Sequence, residues 1–186
     1  DLINSRSVRA GNDPETIHVD KEYPFMAIVS TPVAVYYDEG EKISHPILVS
    51  GSSEHTKDNE ASKSISSFTN AFGASEGLVY TGKDVEDYSV GIAGNFWKSS
   101  DGAILVKNDE EGYREAVNAA VMGSYLNIPI IVAESMNSDI RDILSTLGVK
   151  YTLLCGDIEG YGKIWPLESK EEINSIIATG YPDSTG

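Results

Sequence analysis

The chain contains a single cysteine, Cys155, so no intrachain disulfide can form. Basic side chains are also scarce: 14 Lys and Arg stand against 29 Asp and Glu, for a net charge of −15. That balance argues against a nucleic-acid partner, because phosphate contacts need clustered Lys and Arg. It equally disfavours docking on an anionic membrane surface. No apolar run approaches the roughly 20 residues that a helix needs to cross a bilayer. The sequence begins at Asp1 with no signal peptide visible, and is expected to be processed or excised from a longer chain. Neither a G-x-G-x-x-G dinucleotide fingerprint nor a G-x-S-x-G nucleophile elbow occurs. His18, His45 and His55 are far apart and show no H-x-x-x-H spacing, so there is no zinc signature.

What is present is an apolar pattern that supports a real core: 40% of the 186 residues are hydrophobic. Residues 84–160 alternate helix and strand in unbroken order, which specifies a parallel sheet covered by helices. Ala103–Lys107 (AILVK) and Pro129–Ala133 (PIIVA) are short apolar runs, as expected of strands buried on both faces. Tyr88, Ile92 and Phe96 share one face of a helix starting at Asp84. Asn108 or Asp109 caps the next helix, Gly112–Leu126, whose Ala116, Ala119, Ala120 and Gly123 let it lie close to a sheet. Asn137 or Ser138 caps a third helix, closed by Gly148, and Tyr151–Cys155 is the following strand. Ser169–Ala178 is expected to be a last helix.

In the first half, Phe25–Ser30 (FMAIVS) reads as a buried strand, and Thr31-Pro32 as the start of a short helix running to Tyr37. Pro46–Ser50 is the next strand, Gly51–Ser62 a polar loop, Ser64–Phe72 a helix and Gly77–Thr81 a strand. The halves echo each other. Pro46-Ile47-Leu48-Val49 matches Pro129-Ile130-Ile131-Val132, and Phe72-Gly73 before a strand matches Leu147-Gly148 before a strand. The expected fold class is α/β: a three-layer, Rossmann-like sandwich with a mainly parallel sheet and an internal duplication. The expected organisation is a leader over 1–24, a degenerate α/β half over 25–83, a second α/β unit over 84–179 and a linker over 180–186. The polar ends look cut from a longer polypeptide.

The segments DVEDYSVGIAGNFWKSSDGAILV, REAVNAAVMGSYLNIPIIVA and ILSTLGVKYTLLCG follow one another in an order and spacing that resemble the cell-wall-binding repeat 2 family. These modules occur on surface-layer and other extracellular proteins. Of the family's Asp-Arg-Tyr-type signature Asp84 is kept but Val85 and Glu86 follow it, and the family's acid in the alanine-rich helix is matched by Glu115. The resemblance implies a non-catalytic module of a surface-layer-like or cell-wall-associated protein, located outside the cell. Its partners would be an envelope polymer or other copies of the surface protein.

Against that stands a Rossmann-like domain binding or transforming a small molecule at the C-terminal edge of its sheet, where open parallel sheets take their ligands. The loops after Ser30, Ser50, Lys107 and Ala133 would then line the site, with Ser52, Ser53, Glu54, His55, Asn108 and Glu134 as ligand-binding candidates. No catalytic set is visible and no cofactor is expected. Calcium is the one ion with candidate ligands, at Asp38-Glu39-Gly40-Glu41 and at Asp84, Glu86 and Asp87, although neither run has the twelve-residue loop spacing. Gly77-x-x-x-x-Gly82-Lys83 outlines a phosphate loop but is followed by Asp84 where the magnesium-binding hydroxyl belongs. Cys155 ends an apolar strand and is read as a buried structural thiol. Tyr36, Tyr37, Phe96 and Trp97 are read as core, with a contact patch as the other reading.

Overall fold

A computed structural model describes residues 6–38, 41–50, 60–72, 78–79 and 84–167. Two short strands come first, β1 (Ser7–Arg9) and β2 (Ile17–Asp20), then helix α1 (Pro24–Ala34). A hairpin of β3 (Val35–Asp38) and β4 (Glu41–Ser44) follows, then β5 (Ile47–Ser50), α2 (Glu60–Phe72) and β6 (Leu78–Val79). The second half runs α3 (Val85–Phe96), β7 (Trp97–Ser100), β8 (Gly102–Lys107), α4 (Glu110–Leu126), β9 (Ile130–Ala133), α5 (Ser138–Leu147), β10 (Tyr151–Cys155) and β11 (Lys163–Pro166). The protein is of the α/β class.

The parallel strands are divided between two sheets, in the orders β5-β2-β6 and β11-β10-β8-β9. Antiparallel β1 and β7 join the start of the chain to the second half. The two sheets are built alike. Ile17 lies between Ile47 and Leu78, as Ile104 lies between Ile130 and Leu153. The Ile17 N–H donates to the Pro46 carbonyl and the Ile104 N–H to the Pro129 carbonyl, at 3.0 and 2.9 Å. In each half a helix, α1 or α4, follows the central strand, and these two helices pack on each other.

Local chemistry explains the second half. Asp84 caps α3 by accepting the N–H groups of Glu86 and Asp87, Asp109 caps α4 through Gly112, and Asn137 caps α5 through Ile140. Gly148 closes α5 at φ 75°, a backbone conformation that glycine adopts without strain. Ile104, Leu105, Val106, Ile130, Ile131 and Val132 are fully buried. Helix α4 packs on β8 and β10, and α3 on β9. The outer edge of β9 is occupied by Ser89 of α3, whose hydroxyl accepts the Val132 N–H at 3.0 Å. That contact blocks a strand edge which would otherwise invite pairing.

The first half departs from the expectations. Phe25–Ser30 is the body of α1, not a strand. Pro24 stands at the first helical turn, where its fixed φ helps and its missing N–H costs nothing. The run is apolar all round because α1 is enclosed by α3, α4, β2, β5 and β9, so its periodicity is erased. Thr31-Pro32 does not begin a helix. Pro32 lies in the last turn of α1, and Tyr36 and Tyr37 belong to β3, as their strand-favouring side chains allow. Within the expected leader, residues 7–9 and 17–20 form strands, and Ile17 and Val19 are core residues. The expected helix Ser169–Ala178 lies outside the described residues.

Two glycines test this packing in opposite directions. Gly91, in the middle of α3, has open space where a Cβ would stand, so Gly91→Ala should raise stability by about 0.5–1 kcal/mol. A Cβ on Gly112 would sit 2.1 Å from the Lys107 carbonyl oxygen. Gly112→Ala should therefore cost about 1–3 kcal/mol through overpacking. Urea denaturation reads both signs, and an undiminished Gly112→Ala variant would contradict the close approach.

Candidate functional site

Because β8, β9 and β10 run parallel, their C-terminal ends Lys107, Ala133 and Cys155 share one edge of the sheet. This is where an open α/β sheet offers a ligand site. Asn108 and Glu134 do meet there. The Asn108 N–H donates to the Ala133 carbonyl at 2.9 Å. Lys107, which sequence reasoning passed over, reaches across to donate its Nζ to the Glu134 carbonyl and lies 3.4 Å from Glu134 Oε2. The other four candidates, Ser52, Ser53, Glu54 and His55, lie outside the described residues. The strand they follow, β5, belongs to the other sheet, so a single pocket edge joining all six is not supported by the strand order.

Part of this edge is closely packed by the protein itself. Gly156 has φ +78°, and a Cβ there would be 2.7 Å from the Lys107 Cβ and 3.1 Å from the Gly112 Cα. The three segments thus touch backbone to backbone. The Gly156 N–H donates to Glu115 Oε2 at 2.5 Å, a charge-assisted bond across 41 residues. Beside it, Asn137 donates its side-chain amide to the Glu86 carboxylate. Cys155 is fully buried, and burial, with the Glu115 charge adding to it, pushes its thiol up to about 12. It is a core residue and a poor nucleophile, because the thiolate is the reactive form.

A second cluster joins the two halves, and its central residue is Arg9. Its side chain is almost fully buried, with the guanidinium carbon 4.1 Å from the Tyr36 ring centre and 4.3 Å from that of Trp97. Arg9 Nη2 lies 2.6 Å from Asp13 Oδ1, and the Tyr36 hydroxyl donates to Asp13 Oδ2 at 2.6 Å. Trp97 donates its indole N–H to the Asn127 carbonyl at 2.8 Å. Burial alone would raise the Asp13 pKa. The Arg9 and Tyr36 hydrogen bonds, with the Arg9 and His45 charges, outweigh burial and hold it below the usual carboxylate value. Tyr36, Phe96 and Trp97 are therefore core, and only Tyr37 is well exposed. The signal that could have revealed Arg9 is weak: the second of two nearby arginines, flanked by Val8 and Ala10 in a polar stretch.

Of the calcium candidates, Asp84 accepts the cap hydrogen bonds of α3, and Asp38 and Glu41 are backbone register partners in the hairpin, while Glu39 and Gly40 are outside the described residues. Among the described residues no three His, Cys, Asp or Glu side chains are grouped to hold a metal ion. Of the phosphate-loop outline, Leu78–Val79 forms strand β6, and the rest lies outside the described residues.

This arrangement of elements has a solved counterpart, Cwp8 from Clostridium difficile, with a TM-score of 0.57 over 95% of the chain. The likeness is one of fold. Identity to Cwp8 is 15%, and the chain spans only 35% of that protein's length. No protein-family model matches the chain, and no curated protein matches it.

The Arg9 cluster predicts an acid-sensitive stability. A carboxylate whose folded pKa is depressed contributes stability above its unfolded pKa and loses it as pH falls through the folded value. Asp13→Asn should accordingly flatten the fall in stability measured by urea denaturation between about pH 5 and pH 2. At the other extreme, burial and the bond to Asp13 push the Tyr36 hydroxyl up to about 12. Its contribution should persist below about pH 10 and fade as pH rises toward the folded value, and Tyr36→Phe should abolish that alkaline loss. Unchanged pH profiles in both variants would show that this cluster does not set the limits.

Proposed function

We propose that the chain is a non-catalytic module of a cell-wall-associated surface protein, used for attachment or assembly outside the cell. The observation that carries this reading is the continuity of its fold with Cwp8, a cell wall protein, along nearly the whole chain. The matched register of the two parallel sheets supports a duplicated unit of the wall-binding-repeat kind. The close packing of Lys107, Gly112 and Gly156 at this edge agrees with a structural module. No helix among the described residues is long and apolar enough to cross a membrane. The high negative charge suits an envelope component of neutral or positive character, or an anionic one bridged by cations.

Co-sedimentation with native envelopes of the organism that makes the protein tests this reading. The expected result is saturable retention in the pellet that survives washing at moderate salt. A protein that stays in the supernatant with and without divalent cations would sink the proposal. So would reproducible thermal stabilisation by one nucleotide or metabolite class, because a ligand of the native state raises apparent stability.

A further inference from the structure

Helix α2 leaves exposed a face that its counterpart α5 buries. Leu78 and Leu153 hold the same register position beside Ile17 and Ile104, 75 residues apart. Phe72 and Leu147, at which α2 and α5 end, are also 75 residues apart. Strand register and helix ends therefore agree, and Phe68, Thr69 and Phe72 fall opposite Ile143, Leu144 and Leu147. Leu144 and Leu147 are sealed, at 0% and 3% exposure. Thr69 is only half-buried, and Phe68 and Phe72, stacked on each other at 5.5 Å, are 42% and 56% exposed. The neighbouring strands differ in the same way: Val49 of β5 is 53% exposed, and its register counterpart Val132 of β9 is fully buried.

In the second half it is α3 that covers these positions, packing on both α5 and β9. A Cβ on its Gly94 would lie 3.3 Å from Ile143 Cδ1, and its Ser89 accepts the Val132 N–H. No such helix precedes β2 among the described residues, where Ser7–Arg9 is strand β1 and pairs with β7. Helix α3 itself is committed to α1, α5 and β9. The sequence nevertheless carries the α3 pattern a second time, after β11 and 85 residues on. The acid pair Glu86-Asp87 recurs as Glu171-Glu172, and the buried pair Ile92-Ala93 as Ile177-Ala178. Asn174 stands at the position of Ser89, and Ser169 at that of the capping Asp84, where serine serves equally well.

Residues 169–181 lie outside the described residues, and their place in the chain indicates where they bind. Helix α3 follows β6, the last strand of the first unit, and covers α5 and β9 of the next. Residues 169–181 likewise follow the last strand of the second unit. By the same rule they cover α2 and β5 of a further unit, the one that begins another copy of the chain. We propose that residues 169–181 of one copy dock as a helix on the Phe68–Phe72 face and β5 edge of a second copy, joining copies head to tail. Ile177 and Ala178 supply the apolar contact. Asn174 brings an amide carbonyl to the Val49 N–H, the bond that Ser89 makes with Val132. The two docking surfaces are different patches, so the contact is heterologous and can extend beyond a dimer. This inference rests on the repeated geometry, and copies that associate without binding envelopes would still bear it out.

Sedimentation velocity of the full chain at increasing concentration tests the proposal, with a mass that rises with concentration as the expected result. Phe72→Asp on the face and Ile177→Asp on the docking segment each place a carboxylate in the apolar contact. Either should weaken association about tenfold or more. Mixed together, the first variant keeps an intact segment and the second an intact face, so they should form a 1:1 complex that grows no further. Val121→Asp, at an exposed apolar position of α4, should associate like the parent. Phe72 is more than half exposed, so Phe72→Asp should keep the parent's unfolding midpoint, which is measured alongside. Phe68→Asp takes its place if that midpoint falls. A parent chain that stays monomeric, a face variant that associates undiminished, or mixed variants that do not combine overturn the proposal. Equal loss from Val121→Asp also overturns it, assigning association to apolar surface in general.

Discussion

From Gly102 to Val106 every residue of β8 is buried, so its side chains meet protein on both faces while its backbone pairs on both edges, with β9 and β10. A strand in that position imposes conditions on everything around it. Its neighbours must be parallel strands returned by helices, because each connection has to cross a face of the sheet. Those helices must lie close, which the alanines and Gly123 of α4 permit. The outermost neighbour must not present a bare edge, and Ser89 meets that condition at Val132. Each fully buried aliphatic side chain contributes about 1.5–3 kcal/mol. The apolar run Ala103–Val106 is therefore worth the ordering of the loops that surround it.

The two halves are joined by a different kind of contact. Helices α1 and α4 pack together, β1 pairs with β7, and one of the side chains that spans the join is charged. Arg9 is tolerable there because two aromatic faces and the Asp13 carboxylate replace its water. Such a pair adds little net stability over an apolar substitute, yet removing one partner leaves an uncompensated charge. The cluster therefore fixes how the start of the chain sits on β7 and makes the join sensitive to the protonation of Asp13.

The sheet edge where α/β proteins often hold ligands is here a packed seam of Lys107, Gly112, Glu115 and Gly156. Apolar surface remains instead on the outside of α4.

The alternation of α3, β8, α4, β9, α5 and β10 could be read from sequence, with Gly148 closing α5 and the caps of α4 and α5 each narrowed to two neighbouring residues, whereas strands β7 and β11 could not. Capping and helical periodicity are local, and each needs only residues three or four positions apart. The correspondence of Pro46–Val49 with Pro129–Val132 was legible for the same reason, and the two prolines accept equivalent bonds in the two sheets. Phe25–Ser30 was not legible as helix, because a segment enclosed on all sides carries no periodicity. The strands at Ser7–Arg9 and Ile17–Asp20 were equally hidden, being too short to register without the partners they pair with. Of the site, the sequence could place Asn108 and Glu134 at the ends of parallel strands, and hence on one edge. Whether that edge was open depended on Glu115 reaching Gly156 and on Gly112 meeting Lys107, contacts between segments brought together only by folding. Local sequence thus determined the elements and their order. The tertiary structure alone decided which edges are filled, how Arg9 is housed and which face of α4 remains bare.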